Sequence, residues 1–264
     1  MLYQGVLTKM EAEPSSPINY FLHLGDEFVK VNDCIGKIIE FNLIGYQCLS
    51  CGDNAAIFRQ GLCKKCFFES PQAGSWIMKP EESKAHLDIE DRDLAFEKKM
   101  QLQPHIVYLS NTGGVKVGVT RKSQVPTRWI DQGAHQALAF LEVPNRYLAG
   151  VAEVALKAHI SDKTQWKAML SQPEQSRDLI QQFNALRGYL PDEVQPFVLE
   201  KLRIEELNFP YTPDGQLGVR QSLNETEPLK GKLKGIKGQY LIFDDYSIFN
   251  VRSSEGFVVD LNVR

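Results

Sequence analysis

Four of the five cysteines fall in one short stretch, as Cys48-Leu49-Ser50-Cys51 and Cys63-Lys64-Lys65-Cys66, and this spacing limits the fold more than any other feature. Two residues between paired cysteines let one tight turn aim both sulfurs at a single cation, and two such turns complete a tetrahedron of thiolates around zinc. Gly52 and Gly61 flank the pairs and supply the backbone freedom the turns need. Lys64 and Lys65 offset part of the charge of four thiolates. Two adjacent disulfides would suit a secreted chain, and a redox pair would use one Cys-x-x-Cys between a strand and a helix. The residues therefore point to a structural Zn2+ held by Cys48, Cys51, Cys63 and Cys66, with no coordination position left open for catalysis. Cys34 stands apart and reads as a small buried hydrophobe.

A chain of 264 residues with 43% hydrophobic and 24% charged positions can bury a sizeable core, in one large unit or two compact ones. Its formal charge of −3 supplies no global field toward nucleic acid, so any such contact needs a local basic patch. The first residues lack the basic start and apolar run of a signal peptide, and no stretch approaches the ~20 apolar residues of a membrane span. The expected setting is cytoplasmic, with no membrane partner.

Both ends carry strand patterns: residues 2–7, 19–24 and 37–41 near the start, and 240–243, 247–251 and 256–261 near the end. Neither set has enough partners of its own. The expected fold class is therefore α+β: a small β barrel or sandwich built from both termini, a four-cysteine zinc ribbon or treble-clef-like insertion, and a central α/β domain. The corresponding segments are 1–47 (N-terminal β), 48–70 (zinc knuckles), 71–103 (helical linker), 104–170 (α/β), 171–196 (helical) and 197–264 (C-terminal β).

Residues 81–100 are charged and free of breakers, which predicts a surface helix with the acidic run 88–93 on its solvated face. Residues 106–109 and 115–119, joined by Asn111-Thr112-Gly113-Gly114, predict a hairpin. A short helix near 126–131, a strand near 137–142, a helix near 147–160 and an amphipathic helix over 174–190 follow. Between residues 105 and 170, eight basic side chains, Lys163 among them, face four acidic ones, Asp162 among them. That local excess suits phosphate. His135 and His159 read as surface or partly buried histidines rather than ligands.

The order of hairpin, short helix, strand and long helix resembles the GIY-YIG nuclease domain over roughly residues 104–169. Tyr108 matches that family's first tyrosine, with Ile106 at the motif glycine. Lys116-Val117-Gly118 stands at the second motif, where lysine replaces tyrosine. Arg128 matches the helical arginine, and Glu153 the glutamate of the long helix. With the cysteine pairs, the stretch from Lys116 to Ala134 and Gly235-Ile236-Lys237-Gly238-Gln239-Tyr240, the whole chain is similar to a bacterial family called domain of unknown function 2797.

The GIY-YIG resemblance implies a divalent-metal-dependent endonuclease. Glu153 would hold Mg2+ or Mn2+, Arg128 would clamp the phosphate, Tyr108 would deprotonate or orient water, and Lys116 would assist Tyr108 or touch phosphate. Arg121, Lys122, Lys234 and Lys237 are the candidate nucleic-acid contacts. Lysines 230, 232, 234 and 237 beside Tyr240 form a basic edge, although edge lysines that block aggregation look the same. The expected partner is nucleic acid. The alternative is a catalytically inactive protein-interaction or assembly module with a structural zinc.

Overall fold

A computed structural model describes residues 1–161 and 165–264; Asp162 and Lys163, counted in the local charge balance above, lie outside the described residues. The chain divides into two compact units. One comprises Met1–Phe68, Leu170–Pro173 and Asn208–Arg264, and the other comprises Glu69–Met169 and Glu174–Leu207.

In the first unit, strands from both ends of the chain share one sheet. Its order is Leu2–Val6, Phe257–Val263, Ile38–Tyr46, Leu229–Lys237, Tyr240–Phe243, Ile248–Asn250, Arg220–Gln221. Phe41 lies between Leu229 on one neighbouring strand and Leu261 on the other, and its ring meets Phe249 at 5.4 Å. Alternation along these strands sends Ile39, Phe41, Leu233, Leu241 and Leu261 into one apolar layer. A separate three-stranded sheet joins Glu11–Glu13, Asn19–Leu24 and Glu27–Lys30.

The expected barrel does not close. Closure requires the two edge strands to pair. Here Leu2–Val6 and Arg220–Gln221 end the strand order at opposite sides, and the latter, two residues long, is too short to carry a ladder onward. The architecture is mixed α+β with several open sheets.

The second unit is built on an antiparallel sheet ordered Ile204–Glu206, Gln136–Val143, His105–Asn111, Val115–Arg121. The Asn111-to-Gly114 turn closes the hairpin between the last two strands, and Gly113 takes φ +84. Val107, Leu109 and Val117 pack with Ala149, Ala152 and Leu156 of the helix Arg146–Lys157. Phe183 of the helix Leu179–Leu186 stacks on Phe140 at 4.6 Å in the same cluster. Ile106, Tyr108 and Ala137 instead pack with Trp129 of the short helix Thr127–Asp131. Period-2 alternation thus gives the sheet two covered faces.

The long helix expected over 81–100 is replaced by the turns Pro80–Glu82 and Ala85–Leu87 and a helix confined to Leu94–Gln101. The acidic run starts that helix instead of lining it. Asp93 accepts from the Phe96 amide at 2.9 Å, and the Glu97 carboxylate accepts from the amides of Asp91, Arg92 and Asp93.

Candidate metal centre and polar cluster

The first candidate site grows from a hairpin. Ile57–Arg59 and Leu62–Cys63 pair across Gln60 and Gly61, both at positive φ, and the helix Lys64–Glu69 follows at once. Leu49 ties the first knuckle to this turn, its amide donating to Gly61 O at 2.8 Å. The ligand atoms of Cys48, Cys51, Cys63 and Cys66 all lie within 4.8 Å of one another. Sulfurs on a tetrahedral zinc with Zn–S of about 2.3 Å sit about 3.8 Å apart, so the cluster has the right scale.

Backbone amides already serve these sulfurs: Cys63 N–H donates to Cys48 Sγ at 3.2 Å and Cys66 N–H to Cys63 Sγ at 3.5 Å. Burial pushes the Cys48 thiol up, but amides of Cys51, Cys63 and Ser50 outweigh it and bring it down to about 6. At Cys51 the Asp53 amide favours the thiolate, yet burial and the neighbouring Cys48 and Cys66 sulfurs push it up to about 12. Four crowded sulfurs ionise together only around a cation. The donor set fits Zn2+ in a zinc ribbon, and four thiolates saturate it. Among the described residues this is the one group of three or more metal-ligating side chains.

The second candidate site lies in the other unit and begins with a close approach. Tyr108 faces Gly118 across the hairpin, and a Cβ on Gly118 would meet the tyrosine hydroxyl at 2.7 Å. The hydroxyl donates to Gln132 Oε1 at 3.1 Å, and the ring meets Trp129 edge-on at 5.8 Å. Gln132 caps the short helix one turn after Arg128, so both side chains leave the same face. Burial pushes the Tyr108 hydroxyl above its ordinary value; Arg128 and Gln132 pull it down, and Glu153 adds to the rise. Arg128 and Glu153, from two further elements, therefore both act on the Tyr108 hydroxyl.

Glu153 is buried on the long helix, 3.4 Å from Lys157 Nζ. Helical spacing aligns Arg146, Gly150, Glu153 and Lys157 along one side. A Cβ on Gly150 would collide with the backbone of Pro80 and Glu81, so only glycine lets the Pro80–Glu82 turn lie against the helix there. Arg146 is held by that segment, donating from Nε to Trp76 O at 3.0 Å and from Nη2 to Ile77 O at 2.7 Å. Burial pulls its guanidinium down to about 10; Glu153 and Glu81 resist, while Arg121 and Arg128 add to the fall. Three arginines thus share one field with Glu153 and Glu81.

Sequence reasoning missed Arg146, whose only signal is its position two helical turns before Glu153. It also missed His105. That residue is buried, its Nδ1 lies 2.7 Å from Gln103 O, and its Nε2 finds no hydrogen-bond partner among the described residues. Burial lowers it to about 4, with Arg146 and Arg121 adding to the effect against Gln103.

Lys116 is buried two rungs from the Tyr108–Gly118 pair, opposite Ser110, on the stretch of strand bridged to Ser161. Arg121 is half-buried, with Nη1 3.4 Å from Met100 Sδ. Lys122 pairs with Glu142 at 2.7 Å. His135 reaches Gln175 O at 3.2 Å, and His159 stacks on Tyr189; neither enters the cluster.

The basic edge near the C-terminus is not an open cationic face. Lys230 pairs with Glu40, Lys232 with Asp244 and Lys234 with Asp214, while Lys237 is buried over the Phe209 ring. Lys237 follows the register shift at Leu233–Gly235, in a stretch where Gly235, Ile236 and Lys237 are all buried, and the other lysines are paired locally. Cys34 is buried, and burial raises its thiol. Among the described residues no helix is long and apolar enough to cross a membrane.

A family model described as "Protein of unknown function (DUF2797)" matches residues 36–259. No curated protein and no solved structure matches the chain.

Proposed function

The chain belongs to the DUF2797 family, and we propose that it binds nucleic acid, with one unit braced by structural Zn2+ and the other carrying a GIY-YIG-like phosphate-handling cluster. What supports this reading is that Arg128 of the short helix and Glu153 of the long helix both bear on the Tyr108 hydroxyl of the hairpin, which bonds to Gln132 at 3.1 Å. Arg128 and Arg146 supply fixed positive charge where a phosphodiester would develop negative charge. Lys116, two rungs along the hairpin from Tyr108, is the further candidate phosphate contact.

Tyr108 keeps its proton near neutral pH because burial raises it, so its role is to orient a water or a phosphate oxygen and not to act as a base. Glu153 would be the carboxylate that holds Mg2+ or Mn2+, an ion that keeps much of its hydration and so needs few protein ligands. Bound there, the ion would polarise the scissile phosphate.

The second reading, a catalytically inactive assembly module, draws on the Glu153–Lys157 pair at 3.4 Å and the full enclosure of Tyr108. Incubating the zinc-loaded protein with labelled DNA and RNA, with and without Mg2+ or Mn2+, separates the two. Cleavage that needs the added ion and disappears in Glu153→Gln supports the endonuclease. Binding without cleavage in every condition supports a binding module, and neither binding nor cleavage leaves the assembly reading.

A further inference from the structure

The zinc hairpin and the helix after it carry a partly exposed aromatic cluster. Phe58 and Phe68 are 44% and 58% exposed, and Phe67 joins them, with ring centroids 5.3 to 5.8 Å apart across the three pairs. Arg59 lies over two of the rings, 5.4 Å from Phe58 and 5.9 Å from Phe67. Lys64 and Lys65 are exposed on the helix that bears Phe67 and Phe68. Among the described residues, none of Arg59, Lys64 and Lys65 forms an ion pair, in contrast to the lysines of the C-terminal edge.

From this arrangement we infer that the hairpin and its helix form a docking surface for single-stranded nucleic acid, with bases stacking on Phe58 and Phe68 and phosphates meeting Arg59, Lys64 and Lys65. The inference rests on the reading of the chain as a nucleic-acid binder but uses a different surface from the Arg128 cluster. Exposed rings beside exposed cations are the pairing that single strands need, because every unstacked base offers a π face and every linkage a negative charge. A duplex keeps its bases stacked and has no use for the rings. A second copy docking by two-fold symmetry would set Arg59, Lys64 and Lys65 against themselves, which the charge opposes. A zinc tetrathiolate carries a residual charge of about −2 that Lys64 and Lys65 partly offset while remaining exposed to a phosphate, and Arg59 is the cation that lies over the rings.

The experiment measures anisotropy of a labelled oligothymidylate and a labelled duplex against the full-length, zinc-loaded protein. Phe58→Ala and Phe68→Ala should each weaken single-strand binding about 5- to 100-fold, with duplex binding and zinc content unchanged. Lys64→Gln with Lys65→Gln should reduce the slope of log affinity against log salt by about 1.4. Arg128→Ala, in contrast, should weaken both ligands together. If the Phe variants keep full single-strand affinity while Arg128→Ala loses it, the surface is wrong and the cluster reading stands. If the Phe variants lose it and Arg128→Ala does not, the surface stands and the cluster reading fails. A wild-type protein that ignores the oligothymidylate, binds only anionic vesicles, or self-associates until Phe68→Ala makes it monomeric overturns the surface.

Discussion

Tyr108 and Gly118 form one packing unit: the hydroxyl of the first lies 2.7 Å from where a Cβ on the second would stand. Gly118→Ala must therefore move the tyrosine away from Gln132. The expected cost is about 1–3 kcal/mol of stability, read from chemical denaturation. Tyr108→Phe in the same background should recover part of it by removing the colliding oxygen. Unchanged stability in Gly118→Ala would mean the ring can shift freely.

His105 makes the fold sensitive to acid. Its folded value of about 4 lies below the ordinary 6.5, so the unfolded chain binds the proton more readily. Its contribution is fully present above pH 6.5 and is lost as pH falls toward 4, by roughly 3 kcal/mol. Denaturation midpoints measured across that window should fall in wild type and fall less in His105→Gln.

The cysteine cluster predicts one zinc per chain by elemental analysis, lost in Cys63→Ser. Structural zinc contributes roughly 10–16 kcal/mol in small metal domains, comparable with the whole stability of an ordinary domain at about 5–15 kcal/mol. Chelation should therefore unfold the zinc-bearing segment. Retention of its near-UV signal and protease resistance in the apo protein would contradict a structural role.

Arg146 is predicted to position the cluster. Arg146→Gln removes a guanidinium bonded to Trp76 O and Ile77 O, leaving two carbonyls unserved at a cost of about 1–3 kcal/mol. Protease sensitivity around residues 71–83 should rise, and nucleic-acid affinity should fall. An unchanged digestion pattern would show that the segment does not depend on Arg146.

Local chemistry in this chain was legible and collective geometry was not. The spacing of the cysteine pairs identified a set that folds to within 4.8 Å, and the Asn111-to-Gly114 turn marked the hairpin, because both depend on a few adjacent residues. Terminal strands short of partners indicated that the ends share a sheet, as Tyr3 opposite Leu261 shows. Whether the sheet closed depended on a two-residue edge strand that carries no pattern. The acidic run misleads because Asp93 and Glu97 look the same on a helix face as at a cap, and only the placement of nearby amides decides. Lys237 resembles its neighbours in composition, yet it lies past a register shift where three successive residues are buried. Arg146 becomes visible only when the Trp76–Ile77 segment folds across the helix.

A salt titration of nucleic-acid binding by wild type and Arg128→Ala tests most directly whether Arg128 meets phosphate. Binding should be weaker in the variant, with a log–log salt slope reduced by about 0.7–0.9, one phosphate contact. Identical affinity and slope in a variant that retains its zinc and its cooperative unfolding would contradict it.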